Sequence, residues 1–337
     1  MSNIGSVYFI NFMTQKKGLV TGGAGFIGSN FCNKFSEKYD LVALDNLFLG
    51  SEKNLKSSTP FFKGDACVLD HLERCGNDFD FIFHLAGTSS APMFTGESFF
   101  WAYQNAIESF AQVLNFAQKN GVKKILYAST SSLYGNNPMP LTEDQSVTPI
   151  NHYAVTKFCY EHMARCFHQV YPDVELVGFR FMSVYGPNEE EKGPYANMIS
   201  QFIWDIARKK SPIIYGDGNQ FRDFTHVDDI LQGVDLAISA EKPLGNKVYN
   251  IGRGESTSFN EIFSVIRSVL QSEIEPTYIP NPVKEGYVKG QHADITNISS
   301  DLGYAPRVQL KQGIADLIKD LQIDRIRETS SDLLRKK

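Results

Sequence analysis

Val20-Thr21-Gly22-Gly23-Ala24-Gly25-Phe26-Ile27-Gly28 is the stretch whose reading decides the fold. A short apolar run ending at Val20 meets glycines at 22, 25 and 28, and the amphipathic stretch Phe26 to Phe35 opens among them. Strand, tight turn without Cβ atoms, then helix is the arrangement in which backbone N–H groups and a helix dipole converge on a pyrophosphate, which is what a dinucleotide demands.

Outward from that turn, short apolar runs alternate with amphipathic stretches: Leu41 to Leu44, Phe79 to Leu85, Phe99 to Asn120, Lys124 to Ala128, Tyr153 to Val170 and Leu176 to Arg180. Strand alternating with helix predicts an α/β fold, a doubly wound parallel Rossmann sheet covered on both faces. After Gly186-Pro187 the rhythm changes, with a helix expected at Ala196 to Lys209, a short apolar piece at Ile213 to Tyr215, then Val227 to Ser239 and Val248 to Ile251. We expect a nucleotide-binding domain over 16–180 plus 225–252 and a smaller C-terminal substrate-binding lobe over 181–224 plus 253–325. Residues 1–15 read as a flexible extension and 326–337 as a charged tail.

The chain has 337 residues, 42% hydrophobic and 21% charged, which is the balance of a globular protein rather than a disordered one. Its net charge of -5 is spread over mixed-sign segments without a basic block, so a nucleic-acid partner has no electrostatic support. No apolar run approaches the roughly 20 residues that cross a bilayer, so no membrane span is expected. Cys32, Cys67, Cys75, Cys159 and Cys166 form neither a C-x-x-C pair nor a metal-ligand spacing, and read as reduced thiols of a cytoplasmic protein without a metal.

The second strand ends at Asp45, where a carboxylate can accept hydrogen bonds from ribose hydroxyls and repel a 2′-phosphate, which favours NAD over NADP. Asp65, in Lys63-Gly64-Asp65-Ala66, follows another short strand within reach of an adenine edge. His84-Leu85-Ala86-Gly87 ends the next strand in small residues that let backbone approach a cofactor, and His84 itself reads as a satisfied structural histidine.

Tyr153 and Lys157 stand four apart at the start of a helix pattern and so share one helical face. A tyrosine of ordinary pKa, about 10, is a poor base, but a neighbouring ammonium and a positive nicotinamide ring favour its phenolate. Tyr153 is then a candidate to take a hydroxyl proton as hydride leaves the same carbon. The strand Lys124 to Ala128 runs into Ser129-Thr130-Ser131-Ser132, and hydroxyls at a strand's C-terminal end lie where open α/β sheets bind ligands, so Thr130 is a candidate to hold the reacting oxygen.

With these motifs assembled, the chain resembles an extended short-chain dehydrogenase/reductase of the NAD-dependent epimerase/dehydratase family over about residues 16 to 320. Matching elements include TGGAGFIG at 21–28, LDNL at 44–47, HLAG at 84–87, STSSLYG at 129–135, YAVTK at 153–157, RFMSVYGP at 180–187 and YGDGNQFRDF at 215–224. The resemblance implies Tyr153 as acid/base, Lys157 on the nicotinamide ribose and Thr130 aligning the substrate hydroxyl. It places NAD on Gly22, Gly25, Phe26, Ile27, Gly28, Asp45 and Asn46, with Asp65, Ala66, Leu85, Ala86, Gly87 and Asn105 completing the cofactor site. It further implies a nucleotide-sugar substrate, with Arg222 and Lys284 on the diphosphate, Tyr215 on the base, and Ser183 and Asn197 nearby. The helices Phe99 to Asn120 and Tyr153 to Val170 resemble those with which relatives form a homodimer.

Family dehydratases carry Asp-Glu after the threonine and decarboxylases a glutamate at the second position, where this chain has Ser131 and Ser132. Without those acids the expected reaction is reversible oxidation at one carbon through a keto intermediate; the family resemblance implies that this is epimerisation at C4 of a UDP-hexose. The alternative that the resemblance offers, through Glu189 to Gly193, is an ADP-heptose 6-epimerase, in which Lys192 would match a second base. Intact Tyr153 and Lys157 argue against a binding-only NAD module. Ser183 departs from the asparagine that relatives usually place there.

Overall fold

The computed structural model describes residues 15–56, 58–282 and 286–321. Lys284, the expected extension up to residue 14 and the C-terminal tail therefore lie outside the described residues.

The chain runs β1 (Lys17–Thr21), α1 (Phe26–Phe35), β2 (Asp40–Asp45), β3 (Phe61–Lys63), α2 (Leu69–Glu73), β4 (Phe81–His84), α3 (Phe99–Asn120), β5 (Lys124–Thr130), α4 (His152–Val170) and β6 (Glu175–Phe181). It continues through β7 (Ser183–Tyr185), α5 (Met198–Ala207), β8 (Ile213–Tyr215), β9 (Phe221–Arg222), β10 (Phe224–His226), α6 (Val227–Ser239) and β11 (Asn246–Ile251). The last part is β12 (Thr257–Ser258), α7 (Phe259–Leu270), β13 (Thr277–Ile279), α8 (Thr296–Leu302) and α9 (Leu310–Asp320).

One seven-stranded sheet has the order β11-β6-β5-β4-β1-β2-β3, with every neighbouring pair parallel. The order reverses between β1 and β4, where Thr21 is in register with His84, and the crevice at such a switch point is where doubly wound sheets take a ligand. The strands are buried on both faces and accordingly read as near-continuous apolar runs, Phe81 to Phe83 and Ile125 to Leu126 among them. On one face α1 and α6 pack Phe31, Ile230 and Val234 onto Phe83, Leu126 and Phe179. On the other, α3 and α4 pack Phe110, Val113 and Tyr160 onto Leu19, Ile82 and Ile125.

Local chemistry sets the element ends. The buried face of α3 recurs as Ala102, Ala106, Phe110, Val113 and Ala117, and Gly121 in the left-handed conformation stops the helix. Ser258 and Glu261 form a reciprocal capping box at the start of α7. Helices α5, α7 and α9 share a third core with Tyr185, Ile214 and Phe224, which makes the smaller lobe. Helix α8 instead packs Ile298 into the sheet's core, so 296–302 joins the sheet and not the lobe to which its place in the sequence assigns it. Among the described residues the lobe side holds two-stranded sheets, β7 with β10, β9 with β12 and β8 with β13. Among the described residues no helix is long and apolar enough to cross a membrane.

Candidate active site

A cavity of about 590 Å³ follows the C-terminal ends of β1, β2, β4 and β5 and is closed on its far side by the lobe. Its nucleotide end is made largely of backbone. Gly22, at φ +72°, donates its N–H to the Leu44 carbonyl at 2.8 Å, tying the turn to β2. A Cβ on Gly22 would lie 2.8 Å from Ala86 N, and one on Gly28 only 2.2 Å from Gly22 O, so no side chain fits at either place. The N-cap of α1 is Gly25, with no side chain on its first N–H groups, which are thus left for an anion.

Asp45, 8% exposed, accepts from Ala24 N at 3.1 Å and Leu47 N at 2.7 Å. Burial raises its carboxyl above the usual carboxylate range, against the pull of those N–H groups. Asp65 accepts from Cys67 N at 2.9 Å, and the Asn46 amide lies 3.4 Å from its other oxygen. Phe26, Ile27, Ala66, Leu85, Ala86, Gly87 and Asn105 also line this end. Phe48 and Trp101, whose rings lie 4.6 Å apart, line it too; they are 53 residues apart, and nothing in their local pattern points to a shared wall. The backbone cradle and the acid at the end of β2 together fit a dinucleotide.

Tyr153 and Lys157, the candidates for proton handling, stand on α4. Asn151 caps that helix by accepting from Ala154 N at 2.9 Å, which fixes the turn carrying Tyr153. Tyr153, Lys157 and Thr130 line the same cavity. Burial raises the Tyr153 phenol, and its hydrogen bond with Thr130 works the other way. Lys157, 3% exposed, is pushed down to about 7 by desolvation, and its Nζ lies 4.1 Å from the centroid of the Tyr160 ring. The sequence predicts a phenol acidified by the neighbouring lysine; in the protein alone burial of the phenol dominates instead.

His84 is fully buried. Its Nδ1 pairs with the Thr21 hydroxyl at 2.8 Å and its Nε2 has no partner among the described residues, so it is only half the satisfied histidine expected. Burial and the nearby Lys157 hold it well below its ordinary pKa, hence neutral. Behind α4, Glu161 accepts from Ser129 Oγ at 2.6 Å and from Arg180 at 3.0 and 2.8 Å, clamping the helix to the ends of β5 and β6. Neither clamp residue was a sequence-level candidate; the only signal is a Glu one turn beyond Lys157 on the same helix.

On the lobe side, Ser183, Asn197 and Arg222 line the cavity. Arg222 donates Nη2 to Val288 O at 2.7 Å and Nη1 to Phe221 O at 2.8 Å, so part of its fork is taken by the chain. Asn197 caps α5 through Ile199 N and donates to Val184 O. Tyr215 is an exposed residue of β8 and is not among the residues lining the cavity. Lys192 lines it with Nζ bonded at 2.9 Å to the buried Glu189, one half of an ion pair. Gln291, which no sequence pattern singled out, bonds both Ser131 and Ser183. All five cysteines are free, and among the described residues no group of three or more His, Cys, Asp and Glu side chains could hold a metal.

Residues 18–252 match the model of the NAD dependent epimerase/dehydratase family, and the chain belongs to that family. It is 30% identical to the UDP-glucose 4-epimerase of Mycolicibacterium smegmatis over 312 residues, 89% of this chain and 97% of that one. A UDP-N-acetylglucosamine 4-epimerase from Methanobrevibacter ruminantium, solved with UDP-N-acetylmuramic acid, superposes with a TM-score of 0.84 at 33% identity, covering 91% of this chain and 98% of its own. A UDP-glucuronic acid 4-epimerase from Bacillus cereus, solved with UDP-glucuronic acid and NAD, superposes with a TM-score of 0.81 at 30% identity, covering 90% and 99%.

Proposed function

We propose that this member of the family is a nucleotide-sugar 4-epimerase that inverts C4 of a UDP-hexose with a tightly held NAD. The observation that carries the reading is the hydrogen-bonded pair of Tyr153 and Thr130 in a cavity continuous with the glycine turn. NAD, when bound, supplies a hydride acceptor that returns the hydride it took, so no net redox partner is required. Gly22, Gly25, Gly28 and Asp45 would hold it, with Asp45 on the ribose hydroxyls.

Thr130 holds the reacting hydroxyl, Tyr153 removes its proton and later restores it, and Lys157 orients the nicotinamide ribose and balances the phenolate's charge. Ser131 and Ser132 bring no carboxylate to the neighbouring carbons, which leaves inversion at one carbon in preference to elimination or decarboxylation. Arg222 and the cation at Lys284 would take the diphosphate. Lys192 is already engaged by Glu189, which weakens the 6-epimerase alternative.

The same reading includes a cytoplasmic homodimer built on α3 and α4, supported by the exposure of Phe99 and Phe100 at the start of α3. The test of function is incubation of purified protein with UDP-glucose, UDP-galactose and UDP-N-acetylglucosamine without added NAD, followed by proton NMR. Appearance of the C4 epimer is expected; turnover of an ADP-heptose and of no UDP-hexose would overturn the reading.

A further inference from the structure

Three neutral side chains from distant parts of the chain meet in one wall of the cavity: Ser131 after β5, Ser183 at the start of β7, and Gln291. Resting on the nucleotide-sugar reading above, we infer that Gln291 is a specificity-determining residue that makes this wall select hexoses with neutral substituents, hydroxyl or acetamido, over uronic acids.

Gln291 is 5% exposed and its position is fixed by its surroundings. Its backbone N–H bonds Phe221 O at 3.2 Å, and Leu141 N donates to the next carbonyl, that of His292, at 2.8 Å. Its Nε2 donates to Ser131 Oγ at 2.7 Å, and its Oε1 accepts from Ser183 Oγ at 3.3 Å. A serine hydroxyl has one proton. Ser131 accepts from the amide, so its proton is free for the cavity; Ser183 spends its proton on the amide and meets the cavity as an acceptor. Turning the amide over exchanges the two roles and changes nothing else, because the carboxamide always gives on one side and takes on the other. The wall therefore presents one donor and one acceptor.

A hydroxyl or an acetamido group both donates and accepts, and satisfies the pair. A carboxylate only accepts: it can use the donor but leaves the other serine's lone pairs against its own charge, a mismatch worth about tenfold in affinity or more. Three cations line the cavity among the described residues, Lys157, Lys192 and Arg222. They lie over the Tyr160 ring, on Glu189, and on the carbonyls of Phe221 and Val288, and none is bonded to either serine.

The test compares UDP-glucose, UDP-N-acetylglucosamine and UDP-glucuronate by calorimetric Kd and by kcat/KM on the full-length enzyme. Wild type is expected to prefer the neutral sugars by about tenfold or more, expressed in Kd and KM rather than in kcat. Gln291→Leu leaves both serine protons free and should shrink that ratio toward unity. Gln291→Glu takes both protons and adds a charge, and should widen it. Ser183→Ala, which keeps the Gln291–Ser131 bond, should shrink it even if the Gln291 variants fail to fold. Equal affinity of wild type for uronate and neutral sugar, or a shift in the same direction for Leu and Glu, would overturn this inference alone. Binding of no UDP-sugar at all would overturn the functional reading and this inference with it.

Discussion

The two ends of the cavity are built by different means. At the nucleotide end the polar working groups are the backbone of the glycine turn and one carboxylate, all between Gly22 and Leu47: Asp45 bonds Ala24 and Leu47, and Gly25 bonds Gly22. At the sugar end they are side chains brought together by tertiary structure, as when Gln291 reaches Ser131 across 160 positions and Ser183 across 108. The first is a local motif that any parallel βαβ unit can carry. The second exists only once sheet and lobe have folded against each other, and is therefore where one member of the family can differ from another. Substitutions at the nucleotide end should thus alter cofactor binding, whereas those in the buried side-chain networks should alter stability and chemistry together.

The largest effect is expected where the two ends meet. Tyr153→Phe should lower kcat by about a thousandfold, within the usual range for removal of a general acid–base, while melting temperature and NAD binding stay at wild-type levels. A stopped assay of epimer formation with a calorimetric titration of NAD checks both halves; retained activity would remove the proton-transfer role.

Glu161→Gln comes next. It breaks the buried pair with Arg180, whose side chains are 7% and 10% exposed, and should cost about 3–5 kcal/mol in urea unfolding. Because Glu161 also holds α4 against Ser129, kcat should fall as well. A stability loss with unchanged kcat would separate the clamp from the chemistry and weaken the contrast between the ends.

Lys157 gives a pH-dependent effect. Burial holds it near 7 in the folded chain against an ordinary 10.5, so between those values the unfolded chain carries the extra proton and stability rises with pH. The destabilisation is complete below pH 7 and fades toward pH 10.5. Lys157→Met should therefore raise the melting temperature most at pH 6 and hardly at all at pH 10, while abolishing turnover. A gain that grows with pH would contradict the assignment.

The smallest expected effect belongs to the cap of α4. Asn151→Ala removes the bond to Ala154 N and should cost about 1 kcal/mol of stability by chemical denaturation. Its effect on kcat should be modest, since Thr130 still holds the phenol.

The same division explains how much could be read from sequence. Helices α1, α3 and α6 begin and end where their apolar periodicity says, and the Rossmann order follows from strand–helix alternation. That Tyr153, Lys157 and Thr130 face one cavity was legible because helical spacing and a strand end place them with little help from the rest of the chain. Strands β9, β12 and β13 were not: two or three residues carry no period, and their pairing is set by the lobe. Gln291, Glu161 and the role of Asp223 were invisible for a related reason. Asp223 is fully buried and accepts from its near neighbour Thr225 Oγ1 and, across the chain, from Arg253 N and Gly254 N, partners that no local pattern pairs with it. Tyr215 shows the converse, an aromatic beside a recognisable motif that is exposed and does not line the cavity.

The proposed chemistry is a reversible oxidation confined to one sugar carbon, with Tyr153 handling only the hydroxyl proton. It is tested most directly by incubating the enzyme with UDP-glucose deuterated at C4 in ordinary water and reading the UDP-galactose formed by NMR. Deuterium is expected to stay at C4 of the product. Deuterium lost to solvent, with protium at C4, would contradict it.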